Sequence, residues 1–507
     1  MGRADPFTGY SVVLRTIVYG IVPLFTAFQC VRLRRALHVF QLEAYKRPSF
    51  RRWLRSNRDK AWFLKPSTAK KPLVMTGRAW RILVTATALA LLGVVLPPAA
   101  AHLWLGGAPA DLVTWALATT AAFVGAPLLI PAADWALTPV QAAVNRSYLR
   151  RARRKLAEVS PTVVGITGSY GKTSTKFAVG ALLGPDALVT PGSFNTTMGV
   201  CRAINEHLEP RHRYFVVEMG ARRRGDIAEI GRLVNHRIAV LTAIGTAHLE
   251  SFGSAEAIAR AKLEIVDTLA PGGIAIVNSD DATIRGLARE LAGVEVVRYG
   301  LDPAGSPDVT AEAVEITRAG TRMTVVDRRS GERLEASTKL LGRHSIGHVL
   351  AGVAVARAAG AGLASLAPRI AALTPVEHRL QLIGAPGGVT VLDDAFNSNP
   401  DGAAAALEVL AAMPARQRIV VTPGIVELGK LQQAANEELG RRAGEVADVL
   451  IVVARVNRDA LVAGATGGRA RTIAVASLEE ATAELAGIVG GGDVVLFEND
   501  LPDQYEG

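Results

Sequence analysis

Val163-Val164-Gly165-Ile166-Thr167-Gly168-Ser169-Tyr170-Gly171-Lys172-Thr173-Ser174 is the stretch that decides the fold. Val163 to Thr167 is a short, β-branched run, the composition of a strand buried in a parallel sheet. Glycines then break the run, and Lys172-Thr173-Ser174 opens a predicted helix reaching about Leu183. Strand, glycine-rich turn and helix start together make an anion site. The backbone N–H groups of Gly168, Ser169, Tyr170 and Gly171 point at phosphate, and the helix dipole favours negative charge. Lys172 adds a full positive charge, and Thr173 offers a hydroxyl to Mg²⁺. The general spacing G-x4-G-K-[ST] requires glycine at 166, where this chain has Ile166. What remains, T-G-x-x-G-K-T-S, is a narrower form.

Further along, carboxylates and cations recur where a ligand would meet them. The apolar run Tyr214-Phe215-Val216-Val217 ends in Glu218-Met219-Gly220-Ala221. A carboxylate at the C-terminal end of a strand faces the crevice where open α/β sheets bind ligands. Mg²⁺ takes one or two carboxylates plus phosphate oxygens, so Glu218 is a candidate metal ligand. Ala239 to Ile244 is a further strand, followed by Ala247-His248-Leu249-Glu250-Ser251-Phe252-Gly253-Ser254 and, on a helix, Ala261-Lys262-Leu263-Glu264-Ile265. Asn278-Ser279-Asp280-Asp281 follows the strand Ile274 to Val277, where a plain turn explains it equally well. Val376-Glu377-His378-Arg379 and Val391-Leu392-Asp393-Asp394-Ala395-Phe396-Asn397-Ser398-Asn399-Pro400 complete the set.

This ordered set resembles the Mur ligases, ATP-dependent enzymes that join amino acids or peptides to a carboxylate, and is nearest to the branch that adds D-alanyl-D-alanine (the MurF type). The resemblance covers about residues 160–507. It implies an α/β fold with a P-loop-type central ATPase domain (155–375) and a C-terminal Rossmann-like domain (376–507). It implies ATP and Mg²⁺ as cofactors, with Gly168 to Ser174, Asn278, Arg379 and Asp394 on the nucleotide. Thr173, Glu218, His248 and Lys262 are then expected at the metal, and Asn195, Thr196 and Thr197 at the substrate. Lys172, His248 and Lys262 are the implied catalytic residues, with Lys262 as the family's carbamylated lysine. Carbamylation turns a cation that would repel Mg²⁺ into a carboxylate-like group. Three positions depart from the pattern: the family usually has Asn where Ser345 and His348 stand, and Tyr where Phe396 stands. Residues 300–340 read as a small antiparallel appendage to the central domain.

The N-terminal third is different in kind. Residues 1–160 carry 23 Lys+Arg against 6 Asp+Glu, whereas the rest carries 34 against 40. The basic character of the whole chain is therefore that of its first part, which suits an anionic membrane surface and not a nucleic-acid groove. Three apolar stretches, 11–31, 82–104 and 112–137, approach the twenty residues needed to cross a bilayer. The basic segment between the first two, with Arg51, Arg52 and Arg55, and the basic Arg146 to Lys155 place both on the cytoplasmic side. A signal peptide fits residues 1–31 poorly, because no positive cluster precedes the apolar run. The expectation is a membrane region over 1–150, in place of the family's usual nucleotide-sugar domain, with cytoplasmic catalytic domains.

Two cysteines, Cys30 and Cys201, are too few for a zinc ribbon. The expected activity is amide ligation through an acyl phosphate. The carboxylate acceptor is a UDP-muramoyl-peptide or a membrane-linked substrate, and the amine is an amino acid or D-Ala-D-Ala. The alternatives are a ligase making another polymer, such as poly-γ-glutamate, and a non-catalytic nucleotide-binding membrane scaffold.

Overall fold

The computed structural model describes residues 22–57, 72–105, 108–192, 194–245, 252–289, 291, 293–317, 320–395, 398–426, 428–453 and 455–500. The chain divides into two compact units, residues 1–147 and 148–507.

The second unit is built on two sheets. The first has nine strands in the order β2-β3-β1-β4-β5-β6-β7-β8-β9. These are β1 (Thr162–Thr167), β2 (Ala187–Val189), β3 (Tyr214–Glu218), β4 (Ile238–Leu241), β5 (Ile274–Asn278), β6 (Glu295–Tyr299), β7 (Val309–Thr317), β8 (Gly320–Asp327) and β9 (Glu332–Thr338). Strands β2 to β6 are parallel, and β7, β8 and β9 form an antiparallel meander. The meander is not a separate appendage, as the alternation of residues 300–340 suggested. It continues the same sheet through one pairing, Tyr299 with Val309. Val164, Ile166, Val216, Val240 and Ile276 face a buried core on one side of the sheet, and Val163, Phe215, Val217, Ala239 and Ala275 face another. Apolar residues at every position are what a strand covered on both faces requires.

The second sheet has the order β10-β11-β15-β12-β13-β14. Its strands are β10 (Gln381–Ala385), β11 (Val389–Asp394), β12 (Arg418–Thr422), β13 (Val449–Val452), β14 (Arg471–Ala474) and β15 (Val494–Glu498). All are parallel except β10, which runs antiparallel to β11.

The described part of the first unit is helical: Val22–Leu42, Arg47–Ser56, Gly77–Leu105, Ala108–Val124 and Ala126–Ala136, with Thr138–Val159 following. Leu33, Leu37, Phe40, Phe50, Ile82, Ala126 and Ile130 form its core. Among the described residues one helix is long and apolar enough to cross a membrane, Gly77–Pro97. It accounts for most of the expected span 82–104. The expected span 112–137 is instead a pair of helices, Val113–Val124 and Ala126–Ala136, bent by 77°. Pro127 explains the break, since it has no N–H to donate and its ring would clash with the carbonyl four residues earlier. The helix after the bend restarts with the Leu128 N–H on the Gly125 carbonyl, at 2.8 Å. Most of the expected span 11–31 lies outside the described residues. Its described continuation carries Arg32, Arg34 and Arg35, and among the described residues three continuous spans are not shown.

Among the described residues of this unit, one carboxylate is buried. Asp134 is paired with Arg47 at 3.1 Å and with Arg78 at 2.8 Å.

Candidate active site

The phosphate loop leaves the end of β1 and enters the helix Lys172–Leu183. Gly168 lies so close to β4 that a Cβ would fall 2.0 Å from the Thr242 hydroxyl. Gly171 caps the helix with φ +75°, in the left-handed region that glycine adopts without strain. The loop is pinned from the next strand. The Ser169 N–H donates to the Ala243 carbonyl at 2.7 Å, and the Gly245 N–H donates to the Ser169 hydroxyl at 3.0 Å. The Thr242 hydroxyl donates to the Tyr170 carbonyl. Lys172 Nζ donates to the carbonyls of Gly168 at 2.8 Å and Ser169 at 3.1 Å, so it lies along the inside of the loop.

Glu218, at the end of β3, is the hub. Only 2% of it is exposed. Its Oε2 accepts the Thr173 hydroxyl at 3.1 Å and is paired with Lys176 Nζ at 3.2 Å. Its Oε1 accepts the Asn195 amide at 3.1 Å. Adjacent parallel strands place Ile166 beside Glu218, which brings the β3 carboxylate to the mouth of the loop. Thr173 and Glu218 are thus the hydroxyl and carboxylate that Mg²⁺ takes beside nucleotide phosphates. Among the described residues no cluster of three or more His, Cys, Asp or Glu could hold a metal by itself. Thr173 and Glu218 fit a Mg²⁺ that is also held by nucleotide phosphate oxygens.

Cations surround this carboxylate. Burial lowers the pKa of Lys172 to about 8, with Arg379 also lowering it and Glu218 opposing. Burial lowers Lys176 as well, again against Glu218. Lys262, on the helix Ala255–Asp267, is 3% exposed. Its pKa falls to about 7 through burial first and the charge of Lys172 second, with Glu264 and Asp226 opposing. Glu264 is otherwise engaged: its carboxylate accepts the N–H groups of Gly225 at 2.6 Å and Ala228 at 3.1 Å, capping the helix Asp226–Val234. Burial also lowers Arg379, with Asp394 and Glu218 opposing.

The second sheet contributes at the ends of β11 and β15, where Asp394 and Glu498 are register partners. Asp394 Oδ1 accepts the Leu380 N–H at 2.9 Å. Glu498 is fully buried and accepts the Ser398 hydroxyl. Burial and mutual repulsion hold the Glu498 carboxyl well above the usual range, and burial raises Asp394 too. His378 and Leu380 flank Arg379 with φ of 59° and 46°. A pair of non-glycine residues in the left-handed region stores strain, which persists only where the surroundings enforce it. Here the enforcing bonds are Leu380 to Asp394 and His378 Nδ1 to Asp393 Oδ2, the latter at 2.7 Å.

The structure thus brings Gly168 to Ser174, Glu218, Lys262, Arg379 and Asp394 around one site. Asn278 lies at its edge, with Nδ2 on the Thr242 carbonyl at 2.8 Å and Oδ1 on the Asp280 N–H at 3.0 Å. Asn195 faces the metal side, because its amide holds Glu218. Thr196 caps the helix Thr197–His207 by accepting the Gly199 N–H at 3.3 Å, and Thr197 is the first residue of that helix. His248 and Phe396 lie outside the described residues. His348 fills the position next to the loop: its ring is 3.0 Å from the Thr175 hydroxyl, and a Cβ on Gly171 would meet it at 2.9 Å. Burial pushes its pKa down to about 3, so the imidazole is neutral. Sequence reading missed Lys176 and the Glu498 pairing. Lys176 carried a signal, since it stands four residues after Lys172 and so shares its helix face.

Residues 166–356 match the profile of the Mur ligase middle domain, and residues 378–498 that of the Mur ligase glutamate ligase domain. The UDP-N-acetylmuramoyl-tripeptide–D-alanyl-D-alanine ligase of Mycobacterium tuberculosis is 34% identical over 366 residues, which are 66% of this chain and 70% of that protein. The ligase of the same name from Escherichia coli is 34% identical over 288 residues, 56% of this chain and 63% of that one. Among solved structures, MurF from Acinetobacter baumannii superposes with a TM-score of 0.63 at 27% identity, covering 69% of this chain and 76% of that one. MurF from Thermotoga maritima in complex with ADP gives 0.63 at 27%, covering 71% and 81%. Sequence, fold and site agree, and the chain belongs to the Mur ligase family, in its MurF type, whose members are ATP-dependent acid–amino-acid ligases using Mg²⁺.

Proposed function

We propose that this chain adds D-alanyl-D-alanine to a UDP-muramoyl-tripeptide carboxylate in peptidoglycan precursor synthesis, working at a membrane surface. The observation that carries the reading is the convergence of Lys172, Lys176 and Arg379 on one buried carboxylate, Glu218, with Lys262 in turn in the field of Lys172. Buried cations in excess are costly unless an anion joins them. A triphosphate beside a substrate carboxylate is such an anion.

The acceptor carboxylate attacks the γ-phosphorus, the bond to ADP breaks, and an acyl phosphate forms. The amino group then attacks the acyl carbon, phosphate leaves, and the amine gives up its proton. Lys172 and the loop N–H groups hold the transferring phosphoryl group, and Arg379 adds positive charge from the side of the second sheet. Thr173 and Glu218 would hold Mg²⁺, which when bound offsets the charge of the phosphoryl group. Lys262 is buried with a lowered pKa, so its neutral amine is available to take up CO₂, releasing a proton and leaving a carbamate. That anion would turn a repelling cation into a partner for the metal side. Asn195 orients Glu218 beside the acceptor.

Support for the membrane comes from the first unit. Val84, Val95, Leu96, Val113, Leu117 and Trp135 are each more than half exposed. Exposed apolar surface of that extent marks an interaction site. The helix Arg47–Ser56 buries Phe50 and Leu54 while exposing Arg51, Arg52 and Arg55, an arrangement that suits anionic headgroups. In this reading the helix Gly77–Pro97 anchors the chain and the catalytic unit lies in the cytoplasm.

The test is phosphate release by the full chain purified in detergent. Release should require ATP, Mg²⁺, UDP-muramoyl-tripeptide and D-Ala-D-Ala together, and Lys172→Ala should abolish it along with ATP binding. Release that needs glutamate instead of the dipeptide would transfer the reading to a polymer ligase. ATP binding with no release for any acceptor and amine would leave a scaffold.

A further inference from the structure

Lys176 is counted above only as one of the cations around Glu218 and takes no step in the reaction, and yet it is among the largest fully buried side chains of the chain. A buried lysine is retained only when its ammonium is matched. Its Nζ lies over the Phe177 ring at 4.8 Å and makes two polar contacts of different kinds. One is the ion pair with Glu218 Oε2 at 3.2 Å, on the oxygen that also accepts Thr173. The other is a 2.6 Å hydrogen bond to the carbonyl of Gly192. Gly192 lies three residues before Asn195, whose amide holds the other oxygen of the same carboxylate. The helix geometry makes this possible, because Lys176 stands three residues after Thr173 and four after Lys172, neighbours on the helix surface.

We infer that Lys176 is a positioning residue that fixes the Glu218 carboxylate for the metal and fastens the Gly192–Asn195 segment to it, so that metal site and acceptor side are set by one ammonium group. The carboxylate cannot rotate while both oxygens are held. Nor can the segment carrying Asn195 move away without breaking the bond to Gly192. The acceptor half of this inference rests on the assignment of Asn195 to the substrate side.

Two variants of the full chain test it. Lys176→Met removes both contacts at nearly constant volume. It should raise about tenfold both the Mg²⁺ concentration for half-maximal rate and the KM for UDP-muramoyl-tripeptide. ADP affinity measured without Mg²⁺ should stay within about twofold. Lys176→Gln removes the charge but keeps a donor for Gly192. It should retain the shift in Mg²⁺ dependence and lose most of the shift in acceptor KM. A merely structural lysine would lower the melting temperature and leave both constants where they were, and that result overturns the inference. So does a parallel loss of metal-free ADP affinity. If the wild-type chain turns over no substrate, the ligase reading fails by itself. The metal half is then read by electron paramagnetic resonance, as ADP-dependent Mn²⁺ binding in the wild type and weaker binding in Lys176→Met. Equal binding would overturn it.

Discussion

Each unit buries a carboxylate against cations, and the two arrangements differ in whether the charges close. Asp134, in the helical unit, meets Arg47 and Arg78, with the Arg78 guanidinium also resting on the Tyr45 ring at 4.4 Å. There one carboxylate is matched by two guanidiniums whose side chains are about a third exposed, so solvent shares their charge. Glu218 meets three donors directly and lies in the field of Lys172 and Arg379. The surplus is positive, and the lysines around it hold their protons weakly. Perturbed groups of this sort mark sites where something else binds. Burial of charge is common to both places, and its incompleteness is what distinguishes function from architecture.

That contrast can be broken in order of size. Glu218→Gln keeps the shape and removes the hub charge; turnover should fall about 10³-fold, read as steady-state phosphate release, with the melting temperature nearly kept. A variant that is unfolded rather than inactive would make Glu218 another Asp134. Asp134→Ala should do the reverse. Leaving two arginines without their carboxylate should cost the first unit about 3 kcal/mol, seen as an earlier unfolding transition, with ADP affinity unchanged.

The smallest effect is on pH. Lys262 loses its proton near pH 7 in the folded chain and near 10.5 when unfolded. Between those values the unfolded chain binds more protons, so this group makes stability rise with pH from about 7 to 10.5. Its carbamate requires the neutral amine. Turnover should therefore drop about tenfold for each pH unit below 7, and added bicarbonate should oppose the drop. The same acid limb in a residually active Lys262→Ala would assign it to another group.

Much of this was legible in the sequence for a physical reason. Val163 to Thr167 and Tyr214 to Glu218 are strands covered on both faces, so their composition is unmistakable, and a carboxylate at such a strand end has few places to point. The meander β7 to β9 was read as antiparallel but not as part of the main sheet, because a single pairing between β6 and β7 joins them. The bend within the expected span 112–137 escaped for a related reason. Hydropathy sums over a window and is blind to one proline, while the backbone at Pro127 is not. Lys176 and the pairing of Glu498 with Asp394 escaped because a charged side chain on a helix or strand is by default solvated. Only the assembled sheets reveal that both are enclosed.

The pairing of β10 with β11 fixes how any hinge would have to work. Gln381 is in register with Asp393, and the His378–Leu380 turn is bonded to Asp393 and Asp394. Arg379 is therefore carried by the second sheet, although its charge reaches Lys172 of the first. If the sheets rotate apart, the pivot must precede His378, and the arginine leaves the phosphate loop as a rigid passenger of the motion. Opening and loss of positive charge would then be a single mechanical event.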